Sequence, residues 1–232
     1  MLTGFGWLAL EVLYLDRARA FYETHLDLAA VDESAHQVVF DVGGDLLVLR
    51  EPGAVPRGGL HTHFALATPP DRYAAWYDAL DDEFDLVEYD FGGSKSLYFF
   101  DPDGHCVEIG QRGRGDDPLD GVFEVVLEVE SLDRAEAFYR ALGFDPYDRG
   151  SDRRRVRLDG PVELELWEPQ RGLADARGGV HVDMGLLADD PASLVEPVAE
   201  EVRSVEEVAG GVRVQDPDGH YLTFAGAADA VR

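Results

Sequence analysis

The chain has 232 residues, with 47 Asp and Glu against 20 Lys and Arg, for a formal net charge of −27. Such a chain repels nucleic-acid phosphates and anionic lipid heads, so neither is expected as a partner. The only cysteine, Cys106, excludes an internal disulfide and a multi-thiolate metal site, and no apolar run reaches the roughly 18 residues that span a bilayer.

In chain order, Phe5 to Val12 alternates as a strand, with Leu8, Leu10 and Val12 on one face and Trp7, Ala9 and Glu11 on the other. Ala18, Phe21, Tyr22 and Leu26 recur at helical spacing, which predicts a helix over 16–26 with Asp16 as its N-cap. Val38–Val42 and Leu46–Leu49 read as strands around the turn residues Gly43-Gly44-Asp45. Trp76-Tyr77 lies in a second helical pattern. Gly113 to Pro118 is rich in Gly, Asp and Pro and reads as a linker. The N-terminal stretch lacks a basic leader and a small-residue cleavage site, and a cytoplasmic protein is expected.

The chain repeats itself. Leu15-Asp16-Arg17-Ala18 with Ala20-Phe21-Tyr22 returns as Leu132-Asp133-Arg134-Ala135 with Ala137-Phe138-Tyr139. Arg57 to His61 returns as Arg177 to His181, and Asp101-Pro102-Asp103-Gly104-His105 as Asp216-Pro217-Asp218-Gly219-His220. Three matches in one order at nearly one spacing indicate tandem copies. The copies are expected as domains over 1–113 and 121–232, joined by a linker over 114–120. The Asp-Pro-Asp-Gly segments read as turns that His105 and His220 finish, and Phe21, Tyr22, Phe138 and Tyr139 as helix-to-sheet core.

The strings at Leu15–Leu28, Leu132–Phe144, His63–Leu66 and Leu97–Ile109 resemble the modules of the vicinal-oxygen-chelate superfamily, the glyoxalase, bleomycin-resistance and extradiol-dioxygenase proteins. The acid load resembles that of proteins from salt-in halophiles. The resemblance implies an α+β fold of two tandem glyoxalase-like domains, four βαβββ modules whose mixed sheets curve into cups with helices outside. It also implies a small-molecule ligand, a divalent metal in the cup and a homodimer. Its metal-ligand positions fall on Trp7, Val48, His63 and Glu108 in the first half, and on Glu124, Glu165, Asp183 and Thr223 in the second. Trp7 replaces the histidine that ring-cleaving members carry.

From the residues, His61 and His63 share one strand face and with Glu108 make a two-histidine, one-carboxylate set suited to Fe, Mn or Zn. The histidines instead line a wet cavity if no ion binds. Glu124, Glu165 and Asp183, with His181 nearby, could hold a hard cation such as Mg or Ca. Tyr98 is a candidate proton donor, and Trp7 and Trp167 are candidate apolar walls for a flat ligand. Two functions follow: a metal-dependent glyoxalase- or dioxygenase-like enzyme acting on a small oxygenated molecule, or a metal-free protein that sequesters its ligand, as in the bleomycin-resistance branch.

Overall fold

The computed structural model describes the backbone of residues 1–51, 60–152, 154–169 and 182–231, and their side chains except at 60–62, 182 and 229. Four modules follow one another. The first holds β1 (Leu2–Glu11), α1 (Leu15–His25), β2 (Ala30–Ser34), β3 (Gln37–Val42) and β4 (Asp45–Arg50). The second holds β5 (Leu60–Ala67), α2 (Tyr73–Leu80), β6 (Val87–Asp90), β7 (Lys95–Phe100) and β8 (Cys106–Gly110). The third holds β9 (Val122–Glu128), α3 (Leu132–Ala141), β10 (Asp145–Arg149), β11 (Arg155–Asp159) and β12 (Glu163–Trp167). The fourth holds β13 (Val182–Ala188), β14 (Ser204–Val208), β15 (Gly211–Gln215) and β16 (Tyr221–Ala225). Its helical segment is two short 3-10 turns, Ala192–Leu194 and Glu196–Val198, where Pro197 lacks the N–H that an α-helix would use.

The strands form two eight-stranded mixed sheets, β14-β15-β16-β13-β1-β4-β3-β2 and β10-β11-β12-β9-β5-β8-β7-β6. Each sheet therefore joins one module from each half of the chain. β1 runs antiparallel to β13, and β5 antiparallel to β9. Neither half closes a cup by itself. The segment between β8 and β9 shows why. It continues the ladder at the end of β5, with Ala67 N donating to Gly121 O at 2.9 Å and Asp120 N to Ala67 O at 2.8 Å. Asp120 Oδ2 meanwhile accepts from Arg114 N and Gly115 N at 2.6 and 2.7 Å. The chain so pinned delivers β9 beside β5.

One core covers the helix faces of both sheets, with Leu8, Leu10, Tyr22, Phe64, Val125, Leu127, Phe138 and Leu222 among its members. The alternation read for β1 holds: Leu8, Leu10 and Val12 enter this core, while Trp7 and Ala9 face the other way. Helix α1 differs from expectation at its start. It begins at Leu15, its N-cap is Tyr14 without a side-chain cap, and Asp16 lies inside the first turn. There its charge still favours the helix dipole.

Candidate metal centre

In the sheet built from the second and third modules, Ala65 of β5 pairs with Glu108 of β8 on one side and Glu124 of β9 on the other. Residues in register on neighbouring strands share a face, so the two carboxylates flank a side chain that ends at Cβ. His63 lies two residues earlier on the same strand. Its Nε2 is 3.1 Å from Glu108 Oε2 and 3.6 Å from Glu124 Oε2. One ligand atom from each of the three residues falls within 4.8 Å of the others. Both carboxylates are 3% exposed.

The electrostatics call for positive charge at this point. Burial by itself would lower the His63 pKa, but the close contacts and charges of Glu108 and Glu124 outweigh it and raise it to about 10. Burial would likewise raise Glu124, yet His63 and Arg157 hold it below the ordinary carboxylate value. Glu108 Oε2 is buried, with His63 Nε2 beside it at 3.1 Å. An imidazole and two buried carboxylates converging on one point are a donor set that fits a divalent cation.

The third-module wall of this cup is charged. Arg157 Nε lies 2.9 Å from Glu165 Oε1, 3.5 Å from Glu124 Oε1 and 3.6 Å from Glu163 Oε1. Arg155 Nη1 lies 3.0 Å from the same Glu165 oxygen. Burial and the neighbouring Glu124 carboxylate push Glu163 up to about 7. Trp167, expected to wall an open cup, is 7% exposed.

The second-module wall is aromatic. Tyr98 pairs in register with Glu108, and its ring meets His63 edge-on at 5.5 Å. Tyr89 stands 5.7 Å from Tyr98, and Phe91 6.2 Å from Tyr89. Burial and Glu108 raise the Tyr98 phenol above its ordinary value. Cys106, on the same strand as Glu108, is pushed up to about 12 by burial and nearby acids, which disfavours its thiolate.

The other sheet carries a different cup. Asp183 Oδ2 is 3.0 Å from Arg50 Nη1 and 3.6 Å from Arg213 Nη2, and Asp183 Oδ1 accepts from Thr223 Oγ1 at 2.8 Å. Trp7 is 1% exposed, and its ring lies where a Cβ on Gly185 would sit, about 2.0 Å from it. Trp7, Ala9, Val39, Val48 and Ala225 form a small apolar cluster closed by Val231 from the C-terminal 3-10 turn, Ala228–Val231. Trp7 fills this cup and does not wall an open one.

The structure thus brings His63, Glu108 and Tyr98 together and adds Glu124, which the sequence reading had placed in a second, carboxylate-only site with Glu165 and Asp183. Among the described residues these three carboxylates do not meet: Asp183 stands in the other sheet, and Glu165 is tied to two arginines. The signal for Glu124 was its place on the cup face of β9; what was missing was that β9 pairs with β5. The ladder is bulged between His61 and His63, so the strict alternation behind a shared face is interrupted there. The His61 side chain lies outside the described residues, as do His181, Arg177 and most of the repeated Arg-Gly-Gly segment.

The family model for the Glyoxalase/Bleomycin resistance protein/Dioxygenase superfamily matches residues 4–109. Metallothiol transferase FosB of Lysinibacillus sphaericus is 32% identical over 130 residues, covering 53% of this chain and 92% of that protein. Metallothiol transferase FosB of Staphylococcus saprophyticus is 30% identical over 127 residues, 52% of this chain and 83% of that protein. Among solved structures, a putative dioxygenase from Bacillus subtilis superimposes with a TM-score of 0.77 at 16% identity, over 97% of this chain and 86% of that one. Glyoxalase I from Zea mays gives 0.69 at 18% identity, over 98% and 93%. At these identities the structural likeness speaks for the fold.

Proposed function

Because the chain belongs to the glyoxalase/bleomycin resistance protein/dioxygenase superfamily, we propose that the cup between its second and third modules is the site of a divalent-metal-dependent enzyme acting on a small oxygenated molecule, by glyoxalase-like isomerisation or dioxygenation. The observation that carries this reading is the convergence of His63, Glu108 and Glu124 within 4.8 Å, with both carboxylates buried. These three residues would hold the ion. A bound Fe, Mn or Zn ion supplies Lewis acidity toward substrate oxygens. Tyr98, on the cup face beside Glu108, keeps its proton and can donate a hydrogen bond to a substrate oxygen. Tyr89 and Phe91, 55% and 56% exposed beside it, offer ring faces to a flat apolar portion of the substrate. The charged wall opposite excludes loose packing of an apolar group there, so substrate enters with its polar end toward Arg157.

The rival reading is a metal-free sequestering protein, in which protonated His63, with Arg157 beside Glu124, offsets the two acids. Metal analysis of protein purified without an affinity tag in high salt separates the two. The enzyme reading expects close to one equivalent of Fe, Mn or Zn, or its uptake on reconstitution, lost in Glu108→Gln and in Glu124→Gln while circular dichroism stays native. Less than about a tenth of an equivalent, with no uptake, leaves the sequestering protein.

A further inference from the structure

We propose that Arg157, together with Arg155, is a positioning pair that holds Glu165 out of the metal centre, so that an ion bound by His63, Glu108 and Glu124 keeps positions open for substrate. The inference rests on the metal reading above and concerns what limits the ligand set to three.

The sheet has an internal two-fold relation that makes Glu165 the counterpart of Glu108. Two residues after His63 comes Ala65, which pairs with Glu108. Two residues after Glu124 comes Val126, which pairs with Glu165. By position alone, Glu165 would be a fourth ligand. Its carboxylate goes elsewhere. Glu165 Oε1 lies 2.9 Å from Arg157 Nε and 3.0 Å from Arg155 Nη1, and it is absent from the group of ligand atoms that converge with His63. Val126 carries two more methyl groups than Ala65, so the space beside the centre is narrower on this side.

Arg157 acts on Glu124 too. Its Nε is 3.5 Å from Glu124 Oε1, while Glu124 Oε2 is the oxygen turned to His63. One carboxylate is held back and the neighbouring one is oriented by the same guanidinium. The arrangement is costly to break on one side only. Glu165 is 2% exposed, and a buried carboxylate deprived of its arginines either takes up a proton or turns to another cation. The nearest candidate is an ion at His63. Removing the arginines should therefore convert a three-ligand centre into a four-ligand one.

Cobalt(II) is the probe, because its visible absorption reports coordination number independently of turnover. Calorimetric affinity and the spectrum are read for the native chain, Glu165→Gln, the double variant Arg155→Met/Arg157→Met, and that double variant with Glu165→Gln added. Glu165→Gln alone should leave affinity and spectrum within about twofold of native. The double variant should bind about tenfold or more tightly with an altered spectrum, and adding Glu165→Gln should abolish both changes; second-sphere partners commonly act at the scale of ten- to a hundredfold. The proposal is overturned if Glu165→Gln alone weakens binding about tenfold, since Glu165 would then already be a ligand, or if the folded double variant gains nothing. Should the double variant not fold, the Glu165→Gln arm decides by itself. Absence of cobalt uptake by the native chain overturns this proposal and the metal reading together, whereas uptake abolished by Glu108→Gln and by Glu165→Gln alike overturns this proposal only.

Discussion

Asp45 opens β4 at the junction of the two sheets, where its Oδ2 accepts the Val122 N–H of β9 at 2.9 Å. Burial raises its pKa to about 6, against the help of that hydrogen bond and with the added push of Asp41 and Asp120. A carboxyl whose pKa is higher folded than unfolded stabilises the fold below its free value and loses that contribution as pH rises through about 6. Asp45→Asn keeps the acceptor and removes the charge. Urea titrations should show the variant more stable than native by about 1–2 kcal/mol at pH 8, with the gap closing by pH 4. Equal gaps at both pH values would assign the effect to something other than ionisation. At this scale the sequence put His63 and Glu108 in one ligand set, and the structure brings the two side chains to 3.1 Å. The sequence could not say which carboxylates meet them, since Glu124 is 61 residues from His63 and reaches it only through a strand pairing that periodicity does not encode.

The Asp-Pro-Asp-Gly-His segments show what an element's own sequence reveals and what it hides. Both are turns, as proline and glycine require. Asp101 Oδ1 accepts from the backbone N–H groups of Asp103 and His105, and Asp216 Oδ1 from those of Asp218, Gly219 and His220. His105 and His220 hydrogen-bond the carbonyls of Glu11 and Glu128 at 2.9 Å, a structural role. The hidden part is the second carboxylate oxygen of each aspartate. Tyr22 of α1 donates to Asp101 at 3.0 Å and Tyr139 of α3 donates to Asp216 at 2.8 Å, tying each helix to a turn in the next module. Tyr22 and Tyr139 were legible as core from helical spacing, but their hydroxyls need a partner that only the fold supplies. Tyr139→Phe leaves Asp216 Oδ2 buried without its donor and should cost about 1–3 kcal/mol in urea unfolding. Tyr22→Phe should behave alike, and Asp216→Ala should cost more because three backbone N–H groups lose their acceptor as well. A loss below about 0.5 kcal/mol in Tyr139→Phe, under the usual worth of one hydrogen bond, would mean that water replaces the hydroxyl.

The repeat announced four modules, and the repeat is also what concealed their partners. Similar modules expose similar first-strand edges, so nothing in the composition of β1 or β5 chooses between the neighbour in its own half and one in the other. In the folded chain the segment 111–121, hydrogen-bonded to Thr68 and Ala67, leads straight into β9. A consequence follows for the whole molecule. Cut between 113 and 121, each half keeps two modules but loses the strand that covers the free edge of its central ones: β13 for β1, β9 for β5. Exposed edges of this length associate rather than remain solvated. Residues 1–113 and 121–232 produced separately should self-associate or aggregate, and should form a one-to-one complex when refolded together, seen as a single species by light scattering. Because His63 and Glu108 come from one half and Glu124 from the other, cobalt uptake should appear in the mixture and in neither half. A stable monomer of 1–113 with the unfolding midpoint of the full chain would show that each half can close its own cup. The pairing seen here would then be one of two nearly equal solutions, chosen by the tether and not by the modules.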